Sequence, residues 1–96
     1  MSLTVEKSFE EQLVNILKAL SDETRLKLVR LMAKGETTCG DLNCDFNLSG
    51  PTMSHHLKVL EQSGLLIRRR EGQQTFNSLN HELYGNFLKA LGGLVK

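Results

Sequence analysis

Residues 49–64 constrain the fold of this chain more than any other stretch. Ser49 is a favoured N-cap residue, because its hydroxyl can accept a hydrogen bond from a free N–H of the first helical turn. Pro51 follows in that turn, where a missing N–H costs little. Gly64 stands where many helices end in a left-handed residue. The apolar residues between them recur at i, i+4 and i+7, which predicts a helix with one apolar face: Met53, Leu57 and Leu60.

Four residues of this predicted helix point away from the apolar stripe, and all carry hydrogen-bonding groups while none is acidic: Thr52, His55, Lys58 and Gln62. The side chains that can donate to base edges or phosphates in a major groove are Thr52, Ser54, His55 and Lys58. Ser49 and the helix N-terminus suit a phosphate. The pattern therefore predicts a DNA recognition helix, and the alternative is an ordinary solvated helix face. His56 lies beside the apolar stripe and is expected to be a partly buried packing residue.

Length and composition predict one soluble globular domain over residues 1–96. Twelve Lys and Arg against 11 Asp and Glu leave a net charge of +1, so any anion binding must come from local clustering. No apolar run is long enough to span a membrane, and no signal peptide opens the chain. Two cysteines favour a reducing, cytoplasmic location over a disulfide scaffold.

The inventory of motifs argues against an enzyme. The sequence contains no glycine-rich phosphate loop, no metal-ligand set and no nucleophile elbow. We therefore expect neither catalytic residues nor a cofactor.

The rest of the chain predicts four more helices and a β-hairpin. Ser8 and Glu11 fit a capping box, which places the firm start of the first helix near Ser8. Ser21 or Asp22 is the expected N-cap of the second helix and Asn80 that of the last, and Gly35 is expected to end the second helix in a left-handed conformation. A glycine-bearing loop over residues 71–74 predicts a hairpin turn. The added helices fall near residues 5–20, 22–34, 39–45 and 81–95, and the strands at 65–70 and 75–79.

Three stretches resemble the ArsR/SmtB family of bacterial winged-helix repressors. They read LKALSDETRL at residues 17–26, PTMSHHLKVL at 51–60, and SGLL at 63–66 leading into the hairpin. The resemblance covers nearly the whole chain and implies a winged helix-turn-helix, mainly α with a small β-hairpin, in the order α-α-α-α-β-β-α. It also implies a homodimer built from the first and last helices. Such a dimer would bind an inverted-repeat operator in double-stranded DNA and release it when a signal arrives; the inducer is unknown.

The predicted hairpin would be the wing, and it carries three consecutive arginines. Strand alternation sends Arg69 to the opposite face from Arg68 and Arg70. Arg68 and Arg70 are therefore the expected DNA contacts, together with Gln73 at the tip. The alternative is a charged edge strand that resists aggregation.

The last helix has an apolar stripe wider than one small core needs, and the first helix offers apolar residues for a partner. The expected dimer residues are Val5, Phe9, Leu13, Leu83, Phe87, Leu91 and Leu94.

Neither metal site of the resembled family is complete. Its thiophilic site uses Cys-x-Cys just before Asp-Leu, but Thr38 and Gly40 occupy the two ligand positions, with Cys39 between them. Its other site uses Asp-x-His early in the last helix, but Asn80 immediately precedes His81 and no later histidine follows. We therefore expect no metal.

Two hypotheses remain for Cys39 and Cys44. One is that Cys39 packs against its neighbours and Cys44 has no special role. The other is that they form a thiol sensor. They cannot complete a zinc finger with His55 and His56, because adjacent histidines diverge by about 100° on a helix.

A second class of function also fits a winged helix, namely a protein-interaction module without direct reading of DNA. The outward face of the recognition helix discriminates the two, because an interaction module is expected to expose apolar residues there. The predicted outward set is polar, although Val59 is near that side.

Overall fold

The computed structural model describes residues 2–95, apart from the side chains of residues 2–8, 39 and 43–45. The sequence-based roles of Val5, Cys39 and Cys44 therefore lie outside the described residues. The helices are α1 (Ser2–Leu20), α2 (Glu23–Lys34), α3 (Cys39–Phe46), α4 (Gly50–Gln62) and α5 (His81–Gly92), and a 3₁₀ turn follows at Gly93–Val95. The strands are β1 (Thr37–Thr38), β2 (Leu66–Glu71) and β3 (Gln74–Leu79), in the antiparallel order β1-β3-β2. The prediction of a mainly helical fold with a small β-hairpin is confirmed.

Helix α4 forms as the sequence predicts. The Ser49 backbone is extended, and its hydroxyl oxygen accepts the N–H of Thr52 at 3.3 Å. Its apolar face is buried in the core through Met53, Leu57 and Leu60. After the helix, Gly64 adopts the left-handed conformation with φ of 90°. That conformation turns the chain into β2, so one glycine fixes the angle between the recognition helix and the hairpin.

Replacing Gly64 with alanine is expected to lower the free energy of unfolding by about 1–3 kcal/mol. An added Cβ would be strained at this φ and would lie 2.7 Å from Cδ1 of Leu83. Urea denaturation measures the change, and Gly35→Ala is the matched control, because nothing lies within 4 Å of a Cβ there. Equal unfolding midpoints for the two variants would contradict the strain argument.

The hairpin loop is shorter than predicted. Glu71 pairs with Gln74, which leaves only Gly72 and Gln73 in the loop. Gly72 has φ of 63°, as a two-residue hairpin loop with glycine at its first position requires. The short loop extends the two strands and places Gln73 at the tip of the wing.

Two boundary predictions differ from the structure. Helix α1 already runs from Ser2, since no Gly or Pro interrupts the helical pattern before Ser8, and the capping-box prediction is therefore wrong. Gly35 has φ of 161°, which is extended rather than left-handed. The reason is β1, which was not predicted: its Thr37 pairs with Asn77, so the chain leaves α2 already extended. Of the two candidate N-caps before α2, Asp22 is the cap, and Asn80 caps α5 as predicted; backbone N–H groups lie 3.0 and 3.1 Å from their side-chain oxygens.

The core lies between α1, α2, α4, the base of the hairpin and α5. Its most completely buried large side chains include Leu28, Met32, Leu42, Leu57, Leu60 and Leu65. Leu13 of α1 and Phe87 of α5 are buried in the same core. Within residues 2–95, none of the helices combines the length and the apolar character needed to cross a membrane.

Candidate nucleic-acid interface

Helices α3 and α4 are joined by the three residues 47–49. Asn47 has φ of 50°, a left-handed conformation that asparagine tolerates better than most residues. Leu48 is half-buried and packs against the core, which fixes the turn. A short helix, a tight turn and a longer helix form a helix-turn-helix.

The predicted DNA-contacting residues of α4 and its cap share one exposed surface: Ser49, Thr52, Ser54, His55 and Lys58. Within this surface Ser49 donates its hydroxyl hydrogen to Oγ1 of Thr52 at 2.8 Å. The Thr52 hydroxyl thus accepts from Ser49 and keeps its own hydrogen for an outside acceptor. Lys58 is exposed and adds a positive charge to this surface.

This surface exposes no large hydrophobic side chain among the described residues 49–63. Val59, which the sequence placed near it, is half-buried and packs against the core. The feature expected of a protein-interaction module is therefore missing from the described part of this face.

His56 is half-buried, as expected, with 14% of its side chain exposed. Its Nδ1 atom lies 3.1 Å from Nη1 of Arg25 and 3.8 Å from Oδ2 of Asp22. The backbone N–H of Arg25 also donates to Asp22, which lowers the pKa of that carboxyl. His56 thus faces α2 and not the outward surface of α4.

The three arginines of the wing have different surroundings. The Arg69 guanidinium lies 2.9 Å from Glu36 and 3.4 Å from Glu71, and it stacks on Phe76 at 4.6 Å from the ring centre. Its charge is therefore balanced within the chain, on the face opposite to Arg68 and Arg70.

Arg68 is only 29% exposed. Its Nε donates to Oδ1 of the buried Asn77 at 3.3 Å, and its Nη1 lies 3.6 Å from Oε1 of Glu61 on α4. Arg70 and Gln73 are exposed, and Arg70 forms no ion pair with another described residue. Arg70 is thus the wing cation with most freedom to meet a phosphate, while Arg68 ties the wing to the recognition helix.

The surface of α1 and α5 is apolar beyond the core. Phe9, Leu88 and Leu94 are exposed, and Leu83 and Leu91 are half-buried. Leu13 and Phe87, two of the predicted dimer residues, are instead buried in the chain's own core. Their burial needs no partner.

No group of three or more metal-ligating side chains comes together in the part of the chain whose side chains are described. His81 at the start of α5 is exposed.

A helix-turn-helix followed by an antiparallel hairpin defines a winged helix-turn-helix, and known proteins share both its sequence and its fold. Residues 22–68 match the profile of the bacterial regulatory protein arsR family. The transcriptional repressor SdpR of Bacillus subtilis is 44% identical over 66 residues, which cover 69% of this chain and 73% of SdpR. The arsenical resistance operon repressor of Staphylococcus aureus is 37% identical over 81 residues, 84% of this chain and 78% of that protein.

Solved structures agree with these sequence matches. The transcriptional repressor BigR from Xylella fastidiosa is 32% identical, with a TM-score of 0.70 over 100% of this chain and 97% of BigR. The chain belongs to the arsR family of bacterial regulatory proteins, and the resemblance found in its sequence is confirmed.

Sequence reasoning missed three long-range contacts of the site: Arg25 to His56, Arg68 to Glu61, and Arg69 to Glu36. Strand alternation separated Arg69 from its neighbours but gave no partner for it. Nothing in the spacing of Arg25 indicated a contact with a residue 31 positions away.

Proposed function

We propose that this chain is a homodimeric transcriptional repressor that binds an inverted-repeat operator through α4 and the β2–β3 wing. The main support is the exposed surface of α4, which is polar, carries Lys58 and exposes no large apolar residue among residues 49–63. Relatives over most of the chain are named repressors. The chain is accordingly a DNA-binding regulator and not an enzyme.

The two parts of the surface suit different components of DNA. Thr52, Ser54, His55 and Lys58 lie on a helix, the element whose width fits the major groove, where base edges can be distinguished. Arg70 and Gln73 lie on the hairpin beside it and suit the flanking backbone. A two-fold dimer would place its two α4 helices in successive major grooves, about 34 Å apart.

Selection of bound sequences from random duplex DNA tests this function directly. The expected product is an inverted repeat whose half-sites lie about one helical turn apart. Recovery of no preferred sequence, with the protein folded and at low salt, would favour the protein-interaction module instead.

A repressor of this kind would act in the cytoplasm, and we propose no metal as its inducer. Thr38 and Gly40 occupy the positions where thiophilic sensors of the family carry cysteines. Thiol sensing by Cys39 and Cys44 stays a hypothesis from the sequence, since both side chains lie outside the described residues.

Replacing Arg70 with alanine is expected to weaken binding to operator and random DNA by the same factor. The exposed Arg70 guanidinium suits a phosphate, and phosphate contacts carry little sequence information. The slope of log affinity against log salt should flatten by about 0.9 for each lost contact, or about 1.8 for a dimer. Arg69→Ala is the matched control, because Glu36 and Glu71 already balance its charge. A larger change in slope for Arg69→Ala than for Arg70→Ala would reverse this assignment.

A further inference from the structure

One side chain, that of Arg25, connects three helices. Its Nε donates to the carbonyl oxygen of Ala19 at 2.7 Å, and its Nη2 donates to that of Lys18 at 3.4 Å. Both carbonyls belong to the last turn of α1, where they lack partners within the helix. Its Nη1 lies 3.1 Å from Nδ1 of His56 on α4. Arg25 therefore links the end of α1 to the middle of the recognition helix.

The chemistry of this contact defines the protonation state of His56. A guanidinium has only donors, so its partner must offer a lone pair. Nδ1 of His56 can do so only in the neutral ring that carries its hydrogen on Nε2. A proton on Nδ1 would remove the hydrogen bond and bring two positive charges together. The same proton would face Oδ2 of Asp22, 3.8 Å away, so the charged ring would favour Asp22 over Arg25.

The charged and titratable groups that contact His56 lie on α2 with its N-cap and on α4. Asp22 and Arg25 face it from α2 and its cap, and the His55 ring lies 5.9 Å away on α4 itself. On α1, Lys18 lines a crevice with Arg25, but His56 is not part of that crevice. The Asp22 carboxylate attracts a proton on Nδ1 of His56 and the Arg25 guanidinium repels it, so a single proton decides which neighbour the ring contacts.

We infer that Arg25 and neutral His56 act as positioning residues that hold α4 against the end of α1, and that protonation of His56 uncouples the two helices and weakens operator binding. The inference rests on the proposed function, because it assumes that α4 reads the operator. In the proposed dimer, α1 belongs to the shared interface, so this contact helps to set the distance between the two recognition helices. Histidine is the type of side chain whose charge can change between pH 5 and 8, so the test varies the pH over that interval.

The test compares affinity for a selected operator and for random DNA between pH 7.5 and pH 5.5. Two protomers each lose a hydrogen bond to a charged group, so the preference for operator should fall about tenfold or more at the lower pH. In His56→Gln the amide oxygen can still accept from Arg25 but does not titrate. This variant should keep the preference of the unmodified protein at pH 7.5 and lose its pH dependence. The matched control is His81→Gln, which removes an exposed histidine from α5, away from α4, and should retain both the operator preference and its pH dependence.

A second measurement does not depend on DNA. Nitrogen-15 spectra of the imidazole groups should show the His56 hydrogen on Nε2 at pH 7.5 and a bare Nδ1. A hydrogen on Nδ1 at that pH, or an unchanged pH response in His56→Gln, would overturn the inference. If His56→Gln does not fold, the spectra of the unmodified protein decide. If no operator can be selected at any pH, the proposed function fails, whereas the spectra still test the Arg25–His56 contact separately.

Discussion

A chain carrying Leu88→Glu is expected to sediment as a monomer at concentrations where the unmodified protein is a dimer. Leu88 is 48% exposed on α5, so its replacement should leave the protomer core intact. In a two-fold dimer each substitution occurs twice. A buried, unpaired carboxylate costs at least about 2 kcal/mol, so the pair should weaken association by about a thousandfold or more. Binding to an inverted repeat should be lost with the dimer.

Leu26→Glu is the matched control for this experiment. Leu26 is similarly apolar and 51% exposed, but it lies on α2, outside the proposed interface. It should leave both sedimentation and operator binding unchanged. A monomeric unmodified protein at micromolar concentration, or an equal loss of the dimer in both variants, would contradict an interface built from α1 and α5.

The sequence pattern of α5 does not distinguish residues that face the chain's own core from residues such as Leu88 that stay exposed. Helical periodicity identified an apolar stripe on α5 that includes both Phe87 and Leu91, and it treated them alike. In the structure Phe87 is fully within the core, Leu91 is half-buried and the neighbouring Leu88 is exposed. Periodicity reports that a residue is apolar and on one face, but not whether its own chain or a partner covers it. A charge at Phe87 would therefore unfold the protomer rather than test the dimer.

Local features were predicted well because their causes are local. Ser49, Asp22 and Asn80 cap helices through hydrogen bonds to residues three positions away. Gly64 is left-handed because it directly follows the end of α4, where glycine commonly adopts that conformation. The strand β1 was missed because it has only two residues, too few for any periodicity. Its formation depends on pairing with β3, some forty positions along the chain.

The electrostatics of the site were less predictable for the same reason. Three consecutive arginines form one positive cluster in the sequence. In the structure Glu36, which is 33 positions away, balances Arg69, while Glu61 of α4 partly balances Arg68. Of the three wing arginines, only Arg70 has no ion pair with another described residue. The positive potential of the wing is therefore smaller than the sequence indicates, which leaves α4 a larger share of the proposed binding to DNA.

Substitutions on the exposed face of α4 are therefore expected to have a large effect on operator preference. Thr52→Ala and His55→Ala are each expected to reduce the preference for operator over random DNA by about 1–3 kcal/mol for each half-site that loses a good base contact. Both half-sites change together in a dimer, so the combined loss should reach about 2–6 kcal/mol if the two are additive. Thr52 has a free hydroxyl hydrogen, and His55 is exposed beside it on the outward face. Affinity for random DNA should change far less than affinity for the operator.

Thr52→Ser and His81→Ala are the matched controls. The serine keeps the hydroxyl that Ser49 contacts and removes only a methyl group, so it should retain most of the preference unless that methyl packs against a thymine. His81→Ala removes an exposed histidine from α5, away from α4, and should change nothing. Binding isotherms on both duplexes at several salt concentrations separate base contacts from phosphate contacts. Lost base contacts change the ratio of operator to random-DNA affinity, whereas lost phosphate contacts change the slope of log affinity against log salt concentration. If Thr52→Ala and His55→Ala alter only the slope while Arg70→Ala alters the ratio, then the wing reads the bases and α4 supplies the backbone contacts.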